Sequence, residues 1–258
     1  MKYYSTRDKA LARPCSLREA VEAGASVIDV GGYSSRPGAD EVSPEEEWRR
    51  VDLGVGAVRS LSPDLPVSID TFRSSVAART IHKYGKVIIN DISAGELDPL
   101  IVDVAAEHDV PYVAMHMKGD PRTMQSMTDY RDIVAEVVDY FRERTAQLRE
   151  RGVRRIVVDP GFGFAKTLEQ NYELLRGLHR LAELGYPVLA GVSRKSMIYR
   201  VLGVTPAQSL AGTVALGWEC LRQGAAILRV HDVREAVDTV RIFNAYVQNS
   251  GEICQMKK

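Results

Sequence analysis

Polar and charged residues follow directly after several short apolar runs of this chain. Asp70 ends VSID, Asp159 ends IVVD, and Asn90 follows VII. A carboxylate can accept a two-pronged hydrogen bond from an edge of N–H donors, and this bond is stronger when the carboxylate is charged and buried. Arg229 and His231 alternate on the last apolar run, so they point to the same face. Two such cations suit the binding of an anion.

The apolar runs are rich in Val and Ile, and helix-like segments separate them. The runs and the polar residues that end them are VIDVGGYSSRPG, VSIDT, VIINDIS, YVAMHM, IVVDPGFGF, VLAGVSRKS and AILRVHD. This pattern predicts parallel strands buried on both faces, whose carboxyl ends lie on one side and bring the polar residues together. We therefore expect an α/β fold, a (β/α)8 TIM barrel. Seven of its eight strands are identifiable in the sequence.

The length of the chain favours a single barrel. The chain has 258 residues, and roughly 250 residues are typical of one (β/α)8 unit. Strands and helices alternate without a linker or a shift in composition. We expect one domain over residues 1–258, with an irregular segment over residues 1–15. In that segment Tyr3 and Tyr4 are followed at once by STRDK.

Helix starts carry recognisable capping residues. Ser16 with Glu19, Ser43 with Glu46, and Thr167 with Gln170 have the spacing of capping boxes. Apolar residues recur every three or four positions in the stretches that should form the outer ring of helices. These stretches run from Tyr130 to Arg151, Leu168 to Leu184, Ala207 to Arg222 and Ala236 to Val247.

Composition narrows the classes of partner. Thirty-four basic residues balance thirty-four acidic ones, so no net field favours nucleic acid or a membrane, and small molecules are the expected partners. Cys15, Cys220 and Cys254 include no close pair, which argues against a disulfide framework and favours the cytoplasm. No apolar run reaches the roughly 18 residues of a membrane span.

The ordered set of strand-end motifs resembles the dihydropteroate synthase family, the target of sulfonamide drugs. The resemblance runs from about Leu17 to about Tyr246, with IDVGGYSSRPGA, SIDT, IND, DPGFGF, SRKS and RVH in the family's order. It implies a (β/α)8 barrel. It also implies an enzyme that joins 6-hydroxymethyl-7,8-dihydropterin diphosphate to 4-aminobenzoate and releases pyrophosphate. Homodimers are usual in the family, with the last helices at the interface.

The resemblance also implies roles for individual residues. The pterin contacts are Asp70, Asn90, Asp159 and Lys195, and the catalytic set is Asp159, Lys195, Arg229 and His231. Alone, Asp159 before Pro-Gly is equally typical of a helix cap or turn, Asp70 is more typical of a helix cap, and a Lys at a strand end is usually solvated. His116, within MHM, either borders the pterin pocket or is a packed core histidine.

The other two substrate groups are matched by the resemblance as well. The diphosphate is assigned to Ser35, Arg229 and His231, and phosphate sites recur near strands 7 and 8 of such barrels. The aminobenzoate is assigned to Arg36, Pro37, Phe164 and Ser196. Magnesium is implied as the cofactor. Its usual Asn ligand does not occur in this chain, so no residue is assigned to the metal.

The chain departs from the family at its N-terminus. The family opens with a strand that ends in Asn-x-Thr-Pro-Asp-Ser-Phe, and neither appears before Leu17. We therefore expect strand 1 to be missing and the barrel to expose the edges of VIDVG and AILRV. A start codon placed too late is favoured over a degenerate paralogue. In the second loop Tyr33 replaces a frequent Glu, and Ser35 a frequent Thr.

Two alternative functions stay open at this point. One is a catalytically impaired homologue that only binds pterin, which the absent first loop supports. The other is a methyltetrahydrofolate-dependent methyltransferase domain, which shares the Asp, Asn and Asp contacts with pterin. SRKS and RVH argue against the second, because methyl transfer has no pyrophosphate to bind.

Overall fold

Short parallel strands alternate with helices along the chain. The computed structural model describes residues 2–4, 14–34, 41–120 and 122–255, with side chains for 17–34, 41–120, 122–124 and 126–248. The strands are β1 (Lys2–Tyr4), β2 (Ile28–Gly31), β3 (Val67–Asp70), β4 (Ile88–Asp91), β5 (Tyr112–Met115), β6 (Ile156–Asp159), β7 (Leu189–Ala190) and β8 (Ile227–Leu228). The helices are α1 (Pro14–Glu22), α2 (Pro44–Leu61), α3 (Ser74–Tyr84), α4 (Leu100–Glu107), α5 (Ile133–Glu150), α6 (Leu168–Arg176), α7 (His179–Ala182), α8 (Ser196–Leu202), α9 (Leu210–Arg222) and α10 (Val233–Gln255).

The strands pair in the order in which they occur in the chain. β1 to β6 form one parallel sheet, and β7 pairs with β8 in a second. A bridge between Val158 and Val188 joins the two. This is the strand and helix order of a (β/α)8 barrel, as the sequence predicts. No pairing between β8 and β1 occurs among the residues described.

The expectation that strand 1 is missing is wrong. β1 pairs with β2 in parallel, with Lys2 opposite Asp29 and Tyr4 opposite Gly31. A pattern search requires an apolar run, whereas pairing with a strand edge needs only backbone N–H and C=O groups, so three residues suffice. The segment 1–15 is also not irregular throughout, because α1 begins at Pro14. Residues 5–13, which precede that helix, lie outside the described residues.

The core explains why the strands read as apolar runs. All four residues are buried in each of β2, β3 and β5. In α2 the buried side chains Val51, Val55 and Val58 recur at helical spacing and pack on the sheet. Burial on both faces requires apolar side chains at successive strand positions, as expected for a parallel sheet covered by helices.

The predicted helices form with shifted boundaries. The caps at Ser43 and Thr167 are present, but the one proposed at Ser16 is wrong because α1 already contains that residue. The stretch from Leu168 to Leu184 divides into α6 and α7 at Gly177, where an added Cβ would lie 2.6 Å from a Val134 methyl. No helix in the described parts of the chain has the length and apolar character needed to cross a membrane.

A buried carboxylate fixes the end of β4. Asp91 accepts hydrogen bonds from the Tyr112 hydroxyl at 2.6 Å, the Ser93 hydroxyl and N–H at 2.8 Å each, and the Gly95 N–H at 2.6 Å. Burial raises the pKa of the Asp91 carboxyl, and the bonds from Tyr112 and Ser93 oppose that rise. The bonds tie β4 to β5 and shape the turn that follows.

Asp91→Ala should lower the free energy of unfolding by about 3 to 5 kcal/mol, because it leaves buried donors without an acceptor. Urea unfolding at neutral pH measures the change. Asp139→Ala is the matched control, since that carboxylate is 64% exposed on α5. A loss at Asp91 no larger than that at Asp139 would contradict the anchoring role.

Candidate functional site

Four polar residues meet inside the barrel at the carboxyl ends of its strands. Arg229 follows β8 and donates from Nε to Asp29 Oδ2 at 2.8 Å and from Nη2 to Asp70 Oδ2 at 2.8 Å. Asn90 Nδ2 lies 3.2 Å from the same Asp29 oxygen. The Arg229 side chain is 19% exposed. The structure thus brings together the predicted residues Asp70, Asn90 and Arg229, with Arg229 bonded directly to Asp70 and joined to Asn90 through Asp29.

Strand register explains this meeting. Asp70 lies opposite both Gly31 and Asn90 in the parallel ladder. Gly31 has no side chain, and a Cβ placed there would lie 3.2 Å from the Asp70 Cβ. The space beside Asp70 is therefore open for its carboxylate.

A second group lies at the end of β6. Asp159 is buried and accepts the Gly161 N–H at 2.8 Å. Burial raises the pKa of the Asp159 carboxyl, and the Lys195 ammonium acts against that rise. Lys195 donates to the Phe162 carbonyl and lies 5.1 Å from the centre of the Phe164 ring. Three of the predicted residues, Asp159, Phe164 and Lys195, therefore share one side of the site.

His231 is held by a serine of the SRKS motif. The Ser193 hydroxyl lies 3.0 Å from the ring nitrogen Nδ1 of His231 and accepts the backbone N–H of the same residue at 3.1 Å. Burial lowers the pKa of His231 to about 4, and Arg194 and Arg229 contribute to that lowering. His231 is therefore a neutral imidazole near pH 7 and not the second cation expected from the sequence, because it lies among positive charges in a desolvated position.

The neighbours of Lys195 in the sequence have different environments. Arg194 forms a two-pronged ion pair with Asp232 at the start of the last helix, so its charge is neutralised there. Its φ of 53° turns the chain between Ser193 and Lys195. Ser196 is half-buried and is the first residue of α8.

The loop after β2 contributes an aromatic rim. Tyr33 packs edge-on against Phe72, with ring centres 5.4 Å apart, and the Arg73 guanidinium lies 5.4 Å from the Tyr33 ring. Arg73 is itself held by the buried Glu47 at 2.5 Å. The predicted residues Ser35, Arg36 and Pro37 come next in the chain and lie outside the described residues.

An apolar cluster lies beside the end of β6. It contains buried Ile92, Met115, Met117, Met124 and Ala165, with Phe72 and Phe164 packed against it. Met115 is opposite Asp159 in the strand register. A flat ring bound at Asp159 would therefore have an apolar surface next to it.

His116 is a packed core histidine, one of the two alternatives left open by the sequence. It is 3% exposed and meets Tyr140 edge-on with ring centres 4.8 Å apart. Its Nδ1 lies 3.1 Å from the Lys166 ammonium. Burial lowers the pKa of His116 well below its usual value.

The sequence reasoning overlooked Asp29, Ser193 and Lys166. A signal for Asp29 was available, since an acidic residue within the apolar run VIDV must find a buried partner. Ser193 and Lys166 gave no comparable signal, because a Ser or a Lys in a polar loop is ordinarily solvated.

The described residues do not form a magnesium site. No group of three or more His, Cys, Asp or Glu side chains that could hold a metal ion occurs among them. The carboxylates of Asp29 and Asp70, which would be natural ligands, hold the Arg229 guanidinium instead.

Comparisons with known proteins agree on one family. The model of the family described as "Pterin binding enzyme" matches residues 4–231. The chain is 42% identical over 238 residues to the dihydropteroate synthase of Synechocystis sp. (strain ATCC 27184 / PCC 6803 / Kazusa), and the match covers 90% of this chain and 82% of that protein.

Solved structures give the same result for the fold. The dihydropteroate synthase of Thermus thermophilus, in complex with 4-aminobenzoate, is 41% identical with a TM-score of 0.84, covering 95% of this chain and 91% of that one. The Burkholderia cenocepacia dihydropteroate synthase complexed with 7,8-dihydropteroate is 38% identical with a TM-score of 0.87, covering 97% and 91%. The barrel predicted from the sequence is therefore confirmed.

His231 should make the protein less stable in acid. Its pKa is about 4 in the folded chain and about 6.5 in the unfolded chain. Between these values the unfolded state binds more protons, so the free energy of unfolding falls as the pH is lowered through this window. In His231→Gln, urea unfolding should show a smaller loss between about pH 6.5 and about pH 4.

His82→Gln is the control for this measurement, because His82 is exposed on α3 and its replacement should leave the loss unchanged. Some loss will remain in His231→Gln, since burial also lowers the pKa of His116. Equal losses in wild type and His231→Gln would show that His231 has no such depressed pKa.

Proposed function

The chain belongs to the dihydropteroate synthases, a family of pterin-binding enzymes, and on this premise we propose that it makes 7,8-dihydropteroate. It joins 6-hydroxymethyl-7,8-dihydropterin diphosphate to 4-aminobenzoate and releases pyrophosphate. The observation that supports this best is the convergence of Asp70, Asn90, Asp159, Lys195 and Arg229 at the carboxyl ends of the strands. In a barrel enzyme this is the end that carries the active site.

The pterin binds between the two polar groups of the site. Asp159 accepts the N–H edge of the ring, and Lys195 donates to its carbonyl and ring nitrogen. Asp70 and Asn90 bind the opposite edge. The cluster of Ile92 and Met115 lies against one face of the ring. The buried carboxylates and the half-buried Lys195 ammonium are positioned for these bonds before the substrate binds.

The diphosphate leaves toward Arg229 and His231. The C–O bond breaks early, its electron pair goes to the diphosphate, and the positive charge on carbon is stabilised by the pterin. Arg229, which Asp29 and Asp70 already bind, donates N–H groups to the diphosphate. The neutral imidazole of His231 supplies a hydrogen bond from its other ring nitrogen, since its Nδ1 faces Ser193. Ser35 is proposed as a further contact to the diphosphate.

The aminobenzoate binds on the outer side of the pterin. Phe164 and Pro37 line its ring, and Arg36 and Ser196 bind its carboxylate. Its nitrogen attacks the pterin carbon and forms the new C–N bond, and the resulting ammonium then gives one proton to solvent. Such a reaction needs charge stabilisation and positioning, and no covalent nucleophile is required.

Magnesium, implied by the resemblance, has no ligand set within the described residues. No step of this mechanism passes through it, and the ion is simply supplied in the assay. A cytoplasmic location, which the cysteine usage favours, is also proposed.

The apolar surface of the last helices supports a homodimer. Ile242 and Tyr246 on α10 are 63% and 61% exposed, and Trp218 of α9 contacts Phe243 and Tyr246. Exposed apolar patches of this kind are typical of subunit interfaces.

Pyrophosphate release from the two substrates tests the proposed activity. Asp159→Asn should lower kcat/KM for the pterin diphosphate about 100-fold, because a charged hydrogen bond of roughly 3 kcal/mol is lost. Lys195→Met should have an effect of similar size. Asp139→Asn and Lys86→Met are the matched controls, at side chains that are each 64% exposed. Near-normal kinetics in the two site variants would refute the pocket.

The double variant Ile242→Glu, Tyr246→Glu should convert the protein from dimer to monomer, since buried charges at an interface are costly. Light scattering after size exclusion measures the mass. Arg241→Glu is the control, because Arg241 is an exposed residue of the same helix. A wild-type mass of one chain would overturn the dimer.

A further inference from the structure

Lys166 is a buried ammonium that the mechanism does not use. The residue is 6% exposed. Its Nζ donates to the Phe164 carbonyl at 2.9 Å and to the Gly161 carbonyl at 3.1 Å, and lies 3.1 Å from His116 Nδ1. An ammonium has three N–H donors, so these three acceptors satisfy it completely. None is left for a substrate.

The acceptors belong to a loop of unusual conformation. Between Pro160 and Lys166, φ is 68° at Gly161, 81° at Gly163 and 49° at Ala165. A Cβ at Gly161 would lie 2.1 Å from the His116 carbonyl oxygen. Glycine adopts positive φ without strain, but Ala165 does so only where surrounding contacts hold the backbone. The two bonds from Lys166 span the loop and supply that hold.

The loop shapes the outer side of the active site. It carries Phe164, and its Phe162 carbonyl accepts the bond from Lys195. The Lys195 ammonium lies over the Phe164 ring. The position of Phe164 therefore depends on the path of this loop, whereas Lys195 is carried by the residues directly before α8. Asp159 depends on the loop less, because its backbone carbonyl also accepts the backbone N–H of His116 at 2.9 Å.

We propose that Lys166 is a positioning residue that holds the 160–166 loop in the shape required for binding aminobenzoate. The proposal rests on the proposed function, and it assigns Lys166 to aminobenzoate binding and not to the pterin. Lys166 acts through Phe164 and touches neither substrate.

His116 completes the arrangement from the opposite side. Its ring is packed against Tyr140 and buried. Because Nδ1 faces an ammonium, that nitrogen accepts and the proton of the imidazole is on Nε2. Burial keeps the ring neutral, since the pKa of His116 is well below its usual value. A protonated His116 would repel Lys166.

The charge of Lys166 adds a pH dependence. Burial lowers the pKa of Lys166 to about 7; Asp159 of β6 raises it, whereas Lys195 before α8 and Lys118 after β5 lower it. His116, directly after β5, faces it as a neutral group. Below this pKa the Lys166 amine is protonated and charged, and above it the amine is neutral. Charged donors make stronger bonds than neutral ones, so the loop is held best at lower pH.

Steady-state kinetics of Lys166→Met and Lys166→Gln test the proposal, with Lys86→Met as the control at an exposed lysine. The KM for 4-aminobenzoate should rise about 10-fold in Lys166→Met, because two backbone bonds are lost. It should rise less in Lys166→Gln, which keeps an N–H donor. The KM for the pterin diphosphate should change by less than about 3-fold in both, since Asp159 is also held through the residue after β5 and Lys195 lies outside the loop.

The pH dependence of the aminobenzoate KM provides a second measurement. At saturating pterin diphosphate, the KM for 4-aminobenzoate should rise about 3-fold or more between about pH 6 and about pH 9 as Lys166 loses its proton. Lys166→Met should show no such rise.

The outcomes separate the two proposals. Suppose that wild type turns over normally. An aminobenzoate KM that is unchanged in both Lys166 variants would then overturn only the role of Lys166, and so would equal rises in the KM values for the two substrates. An aminobenzoate KM that is constant with pH in wild type would also overturn it. Wild type without pyrophosphate release would contradict the proposed function, and with it the need for an aminobenzoate loop.

Discussion

The ion pairs of Arg229 hold the two sheets of the barrel together. The residue follows β8, and its guanidinium bonds to Asp29 in β2 and Asp70 at the end of β3. Within the described residues β8 pairs only with β7. The guanidinium therefore joins the short sheet to the long one across the barrel interior. A buried pair of this kind is costly to break, because the remaining charge is left without a partner.

The same interaction prepares the site for chemistry. Two carboxylates and an amide are held around one guanidinium before any ligand arrives, and Asp159 and Lys195 are held a short distance away. Charges fixed in a desolvated pocket act on a reacting group without reorganisation of solvent. Stability and catalysis thus draw on the same residues. Replacement of one member changes both, which is why conservative and exposed control variants matter at this site.

Much of this arrangement could be anticipated from strand ends. Asp70, Asn90, Asp159 and Arg229 converge as expected, because parallel strands direct their carboxyl ends to one side. Three features could not be anticipated. β1 has too few residues for a pattern, Gly177 divides a stretch with continuous helical periodicity, and His231 is neutral although its sequence context suggests a cation. Each depends on groups brought close by folding.

The sequence alone determined the order of seven of the eight strands, the apolar character that buries most of them and the types of side chain at their ends, since these follow from local periodicity and composition. Only the tertiary structure decided which of those side chains bind one another. Asp29 and Arg229 are 200 positions apart in the chain, and Lys166 and His116 are 50 apart. Burial makes these residues bind each other, because a charge removed from water requires compensating hydrogen bonds or an opposite charge.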